Sequence, residues 1–229
     1  IGLITFDLCG LKILTAIKKS VDLIRQHINP NFRIEAISLE EIAVYERISS
    51  DKNLGIFGFE SPDKQRYLSE LRPSCFGDIA AATAIFCPSL FESGMVDAFI
   101  ERKHKKKEIS YPLPQLVPIL KETYGVIIYQ EQIQKIAYEL ANYTLGEADL
   151  LRKAIGKRKP DELERHKTSF LHGAKLNSID QKIAERIFDL MMEYGLYAFS
   201  KSHAIAYGLL SYQSAYLKTF YPEYFNVES

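Results

Sequence analysis

The sequence has no excess charge of either sign. Its 229 residues carry 29 Lys and Arg against 29 Asp and Glu, a formal net charge of zero. Overall basicity therefore cannot draw the chain to nucleic acid, and any such role must rest on local clusters. Cysteine is scarce: Cys9, Cys75 and Cys87 stand far apart and form no Cys-x-x-Cys. That argues against a disulfide framework or a zinc site and fits a reducing cytosol. No apolar run reaches the length of a membrane span, and no signal peptide is expected. Internal repeats, low-complexity tracts and flexible linkers are missing too. No Asp-x-Asp occurs anywhere. What remains is 47% hydrophobic and 25% charged residues, ordinary for a globular protein of one or two domains. The abrupt opening, Ile1-Gly-Leu-Ile-Thr-Phe6, reads as the middle of an element, so a piece of a larger protein is expected.

The most informative stretch runs Leu145-Gly-Glu-Ala-Asp-Leu-Leu-Arg-Lys-Ala-Ile-Gly-Lys-Arg-Lys-Pro160. Thr144 with Glu147 three residues on has the spacing of a capping box, which predicts a helix start. Glu147 and Asp149 are read as first-turn acids that complement the helix dipole. Ala148, Leu151, Ala154 and Ile155 recur at helical steps and make an apolar face. Arg152, Lys153, Lys157, Arg158 and Lys159 leave the remaining arc, with no acid among them to neutralise them. Gly156 offers close approach to a backbone or ligand, and Pro160 marks the next element. Such a helix end suits a polyphosphate, Arg through bidentate hydrogen bonds and Lys as a point charge. A solvated basic helix terminus accounts for the same charges and stays open on charge alone.

Elsewhere, residues 1–6 read as a short buried strand ending at Asp7, followed by a helix from Leu11. A helix is expected to start near Ser38, others over 62–71, 76–86 and 93–107. The segment 54–61 reads as a packed turn, and 126–128 as a strand or buried extended segment. From Glu131 onward the pattern is helical over 131–141, 145–157, 160–176, 179–194 and 201–220. A second basic cluster, with Lys105 and Lys106, ends the helix over 93–107. In the last helix His203 and Tyr207 stand four apart and share a face. A lone His there is compatible with a structural role, and a metal role is disfavoured by the lack of paired His or Cys.

Five ordered motifs resemble family C, the bacterial replicative DNA polymerase alpha subunits (DNA polymerase III alpha). They are Phe6-Asp-Leu-Cys-Gly-Leu11, Ser93-Gly-Met-Val-Asp97, Tyr124-Gly-Val-Ile-Ile-Tyr-Gln-Glu-Gln132, the run from Tyr143 to Pro160, and Lys201-Ser-His-Ala-Ile-Ala-Tyr207. The resemblance implies a mainly α chain. Residues 1–10 would end a palm strand, and 11–229 would form a multi-helix fingers domain with a few short strands.

The implied activity is template-directed DNA polymerisation with Mg2+, in the cytoplasm, by the full-length protein. Asp7 matches the third of three acidic residues that hold catalytic magnesium in the family. The other two come from an Asp-x-Asp that this chain lacks, so the isolated chain is expected to be inactive. Arg152, Lys153 and Lys157 are implied to bind the triphosphate of the incoming deoxynucleotide, with Lys201 near the phosphates and His203 near the sugar. Arg152, Lys153, Lys157 and His203 are expected to face one cleft from two helices. Arg158, Lys159, Lys105 and Lys106 are implied contacts to primer–template DNA. Sliding clamp and other replicase subunits would bind through regions outside this segment. The family has a second arginine where Lys153 stands, and an Arg-Pro-Gly-Pro-Leu where this chain has Cys87-Pro-Ser-Leu-Phe91. Two rival readings remain, a non-catalytic helical nucleic-acid-binding module and a purely structural helical domain.

Overall fold

A computed structural model describes residues 10–50, 55–86, 88–91 and 93–225. The expected strand over 1–6, with Asp7 at its end, lies outside the described residues, as do Cys9 and Cys87. The chain forms two compact units, one of residues 1–76 with 208–229, the other of residues 77–207.

The first unit holds α1 (Lys12–His27), α2 (Ile42–Ser49) and α3 (Pro62–Leu71). Ile13, Ile17, Val21 and Ile24 come off α1 at steps of three and four and bury against Phe32, Ile34, Leu217 and Phe225. The helix expected near Ser38 starts later, at Ile42. Ser38 Oγ accepts from Glu40 N at 3.1 Å, two residues on, which makes a turn and not a helix cap. Within 55–61, Ile56 and Phe59 are buried and Gly55 and Gly58 take positive φ, as a packed turn requires.

The second unit holds α4 (Phe76–Ile85), α5 (Pro88–Phe91), α6 (Met95–Lys103), α7 (Val117–Leu120), α8 (Gln130–Ala141), α9 (Leu145–Gly156), α10 (Pro160–Leu176) and α11 (Gln181–Gly195). It also holds the start of α12 (Lys201–Phe220). Helix α6 is shorter than the expected 93–107, because Gly94 (φ 72°) and Lys105 (φ 57°) are left-handed and bracket it. Helix α11 begins at Gln181 because the Asp180 carboxylate accepts from Lys182 N and Ile183 N, a standard N-cap.

The core of this unit joins Ile133, Ile136 and Leu140 of α8 to Leu151 and Ile155 of α9. Phe170 of α10 and Ile187, Phe188 and Met191 of α11 complete it. Each such side chain contributes about 1.5–3 kcal/mol by leaving water. Helix α10 lies very close to the end of α8. A Cβ added at Gly173 would stand 2.0 Å from the Ala141 carbonyl oxygen.

Among the described residues there is no β-strand. The only pairing of that kind among them is an isolated parallel bridge between Tyr129 and Phe199. Val126, Ile127 and Ile128 are buried in an extended segment, the second of the two forms expected there. The mainly helical expectation holds.

Candidate functional site

Helix α9 starts as its sequence predicts. Glu147 N donates to Thr144 Oγ1 at 3.3 Å, and Thr144 N donates back to Glu147 Oε2 at 2.8 Å. This reciprocal cap fixes the helix phase. Ala148, Leu151, Ala154 and Ile155 then face the core.

The cations do not stand unneutralised as the linear charge run suggests. Arg152 Nη2 donates to Asp149 Oδ1 at 2.6 Å, and Lys153 Nζ lies 2.6 Å from Asp149 Oδ2. Asp149 is therefore not a first-turn dipole residue but the shared counter-ion of both. Its carboxylate is also tied to the neighbouring helix, since Gln134 Nε2 of α8 donates to Oδ1 at 3.1 Å. Arg152 Nε is buried with no hydrogen-bond partner among the described residues.

The start of α12 is held by the Tyr129-Gln-Glu-Gln132 segment of the sequence motif. Gln130 N donates to Phe199 O, and its side chain donates to Ala198 O. Both carboxylate oxygens of Glu131 accept from Lys201 N, at 3.1 and 3.0 Å. A carboxylate thus occupies the positive end of α12. Lys201 Nζ meets both oxygens of Glu122, at 2.6 and 2.7 Å, and lies 5.6 Å from the Tyr129 ring centroid. Burial, and then the charges of Glu122 and Glu131, push the Tyr129 phenol far above its usual range.

Lys201, Lys121, Glu122, Glu131 and Lys135 line a cavity of about 490 Å³. His203 is exposed and stacks on Tyr207, with ring centroids 4.1 Å apart at 22°. Phe199 meets its edge at 5.1 Å. The four-residue spacing predicted that shared face.

Of the other candidates, Lys159 pairs with Glu162 at 2.6 Å. Lys105, Lys106, Lys157 and Arg158 are exposed and form no ion pair among the described residues. A Cβ at Gly156 would meet nothing within 4 Å, so the close approach expected there is not made within the described residues. Asp7 lies outside them. No group of three or more His, Cys, Asp or Glu among the described residues could hold a metal ion. They do not make a magnesium site by themselves.

Sequence reasoning missed Asp149 as counter-ion, Gln134, Glu131 and Glu122. The first had a signal in its three- and four-residue spacing to Arg152 and Lys153. Lys201 and Glu122 are 79 residues apart, and nothing local joins them.

The hydrogen bonds from Lys153 and then Arg152 hold the Asp149 carboxyl down to about 2, against an ordinary 3.8. A depressed folded-state value contributes stability that is fully present above the unfolded value and is lost as pH falls through the folded one. The urea midpoint of the chain should therefore exceed that of Asp149→Asn at neutral pH. The gap should close between about pH 4 and about pH 2. A gap that persists unchanged to the acid end would show that these pairs contribute nothing through charge.

A helical unit that fastens cations near the end of one helix and the start of another is what the geometry defines. No helix among the described residues is long and apolar enough to cross a membrane. The chain belongs to the bacterial DNA polymerase III alpha subunit finger domain family, whose model matches residues 13–178.

It is 44% identical over 233 residues to the DNA polymerase III subunit alpha of Haemophilus influenzae, covering 98% of this chain and 20% of that protein. Identity to the Pseudomonas aeruginosa subunit is 43% over 231 residues, 96% of this chain and 20% of the relative. The Escherichia coli K12 subunit is 42% identical over 233 residues, again 98% and 20%. The chain spans about a fifth of the length of these relatives.

Proposed function

We propose that this chain is the finger segment of a replicative DNA polymerase that binds the triphosphate of the incoming deoxynucleotide. Residues 1–10 end the palm and 11–229 form the fingers. The reaction is attack of a primer 3′-hydroxyl on the α-phosphorus, with loss of pyrophosphate. Such chemistry asks of this segment mainly positioning and charge stabilisation. Magnesium, held in part by Asp7, would neutralise phosphate charge when bound.

The observation that carries the reading is the meeting of Arg152 and Lys153 over one carboxylate at the end of α9. Two cations on one anion leave an excess of positive charge, to which Lys157 adds. Lys201 serves the phosphates, and His203, with its ring fixed against Tyr207, stands at the sugar. Lys105, Lys106, Arg158 and Lys159 belong to the primer–template DNA. Sliding clamp and other replicase subunits engage other parts of the cytoplasmic full-length protein.

Arg152→Ala in the full-length polymerase tests this. It should cost about 1.5–3 kcal/mol, roughly ten- to 150-fold in kcat/KM for nucleotide. Affinity for primer–template DNA should barely change. A helix end that only binds DNA backbone gives the reverse, with weaker DNA binding, a shallower salt slope and nucleotide kinetics restored at saturating DNA.

A further inference from the structure

Arg152 and Lys153 leave α9 about 100° apart, so neither can stand at the centre of a face that the other also occupies. Asp149 resolves this by its place in the helix. Three residues before Arg152 and four before Lys153, it sits about 60° from the first and about 40° from the second, on the arc between them. Each of its oxygens takes one cation, Oδ1 the arginine and Oδ2 the lysine, both at 2.6 Å. Gln134 reaches across from α8 to Oδ1 at 3.1 Å, so the carboxylate is fixed from outside its own helix.

We propose that Asp149, anchored by Gln134, is a positioning residue that gathers Arg152 and Lys153 into one phosphate-binding pair. The proposal rests on the nucleotide-binding reading above and extends it to a residue that touches no nucleotide.

Three features favour positioning over simple neutralisation. Asp149 meets only Nη2 of the guanidinium, and it is not gripped bidentately, so most of the five N–H donors stay available. Arg152 Nε is buried without a partner among the described residues, a donor that the Asp149 contact leaves unserved. The Arg152 side chain is 26% exposed and Asp149 is 31% exposed, so the pair lies in a half-buried place and not out on a solvated surface. Long cationic side chains lose rotamer freedom when they grip a ligand. Holding them in place beforehand removes that loss from the binding step.

A carboxylate beside a phosphate site also repels the phosphate. That opposing effect gives the test its sign. In the full-length polymerase, Asp149→Asn should lower kcat/KM for nucleotide about tenfold, mostly through KM, with primer–template affinity unchanged. Asp149→Glu keeps the charge within reach of both cations and should recover most of the loss. In an Arg152→Ala background, Asp149→Asn should cost less than about threefold more, because only Lys153 is left for it to position.

Gln134→Leu leaves both ion pairs in place and removes only the tether, so it should give a smaller loss, about threefold. It also serves if Asp149→Asn fails to fold. Unchanged or improved kcat/KM in Asp149→Asn, beside an impaired Arg152→Ala, overturns the positioning role alone. So does a full tenfold loss that persists without Arg152. Normal nucleotide kinetics in Arg152→Ala would instead sink the nucleotide-binding reading, and the positioning role with it.

Discussion

Gly173→Ala is expected to unfold the second unit or to cost it about 3 kcal/mol or more, the upper range for forcing atoms into packed structure. The added Cβ would fall 2.0 Å from Ala141 O and 2.6 Å from its carbonyl carbon. Neither is the far end of a flexible side chain, so one helix has to move off the other. That movement opens a crossing tied by the apolar packing of Leu140 and Phe170 and by polar contacts. Asn177 Nδ2 donates to Leu140 O at 3.0 Å, and Tyr143 Oη donates to His166 O at 2.9 Å. Both depend on α8 and α10 staying at their present separation. A urea midpoint for Gly173→Ala equal to that of the parent chain would show that the helices are farther apart than the structure has them. As a control, Gly146→Ala should be nearly silent, since a Cβ there would meet nothing within 4 Å.

The other large effect is expected at Gln132. Its side chain is buried and its hydrogen-bonding capacity is fully used. Oε1 accepts from Ile128 N and Tyr129 N, both at 2.9 Å. Nε2 donates to Thr123 Oγ1 at 2.7 Å and to Ile119 O at 3.2 Å. Gln132→Leu keeps the volume and removes every one of these bonds. Two buried backbone N–H groups and a carbonyl then lose their partner, at about 1–3 kcal/mol each. A loss of about 3 kcal/mol or more in urea unfolding is the expected result. Gln132→Glu should fall between, since a carboxylate still accepts from the two N–H groups but cannot donate. If Gln132→Leu unfolds at the parent's urea concentration, the network is not what orders this segment.

These two residues mark where the sequence was readable and where it was not. Caps, prolines and apolar periodicity gave α8, α9, α10 and α12 to within a residue at each end. That works because helix ends are decided by the next few residues. The stack of His203 on Tyr207 was legible for the same reason. Gly173 carries no local signal of its purpose, because the Ala141 backbone it makes room for is distant in the chain. Tyr129-Gln-Glu-Gln132 stood out only as a family signature. Its physical purpose, holding residues 198–201 in place, depends on partners such as Lys201, which lies 70 residues from Glu131. The basic run on α9 misled in a different way. Counting charges within the run left out Asp149, one turn before it.

The pairing of Lys201 with Glu122 has a consequence for ionic strength. A bare ammonium on a surface gathers dissolved anions, and a phosphate that replaces them sets them free. Here a carboxylate of the chain already fills that place, 2.6 Å away. A phosphate reaching Lys201 exchanges with Glu122 and releases nothing to solution. The same holds at the amide of Lys201, where Glu131 stands. Under the proposed function, counting the cations of this segment therefore overstates the steepness with which added salt would weaken its hold on an anion.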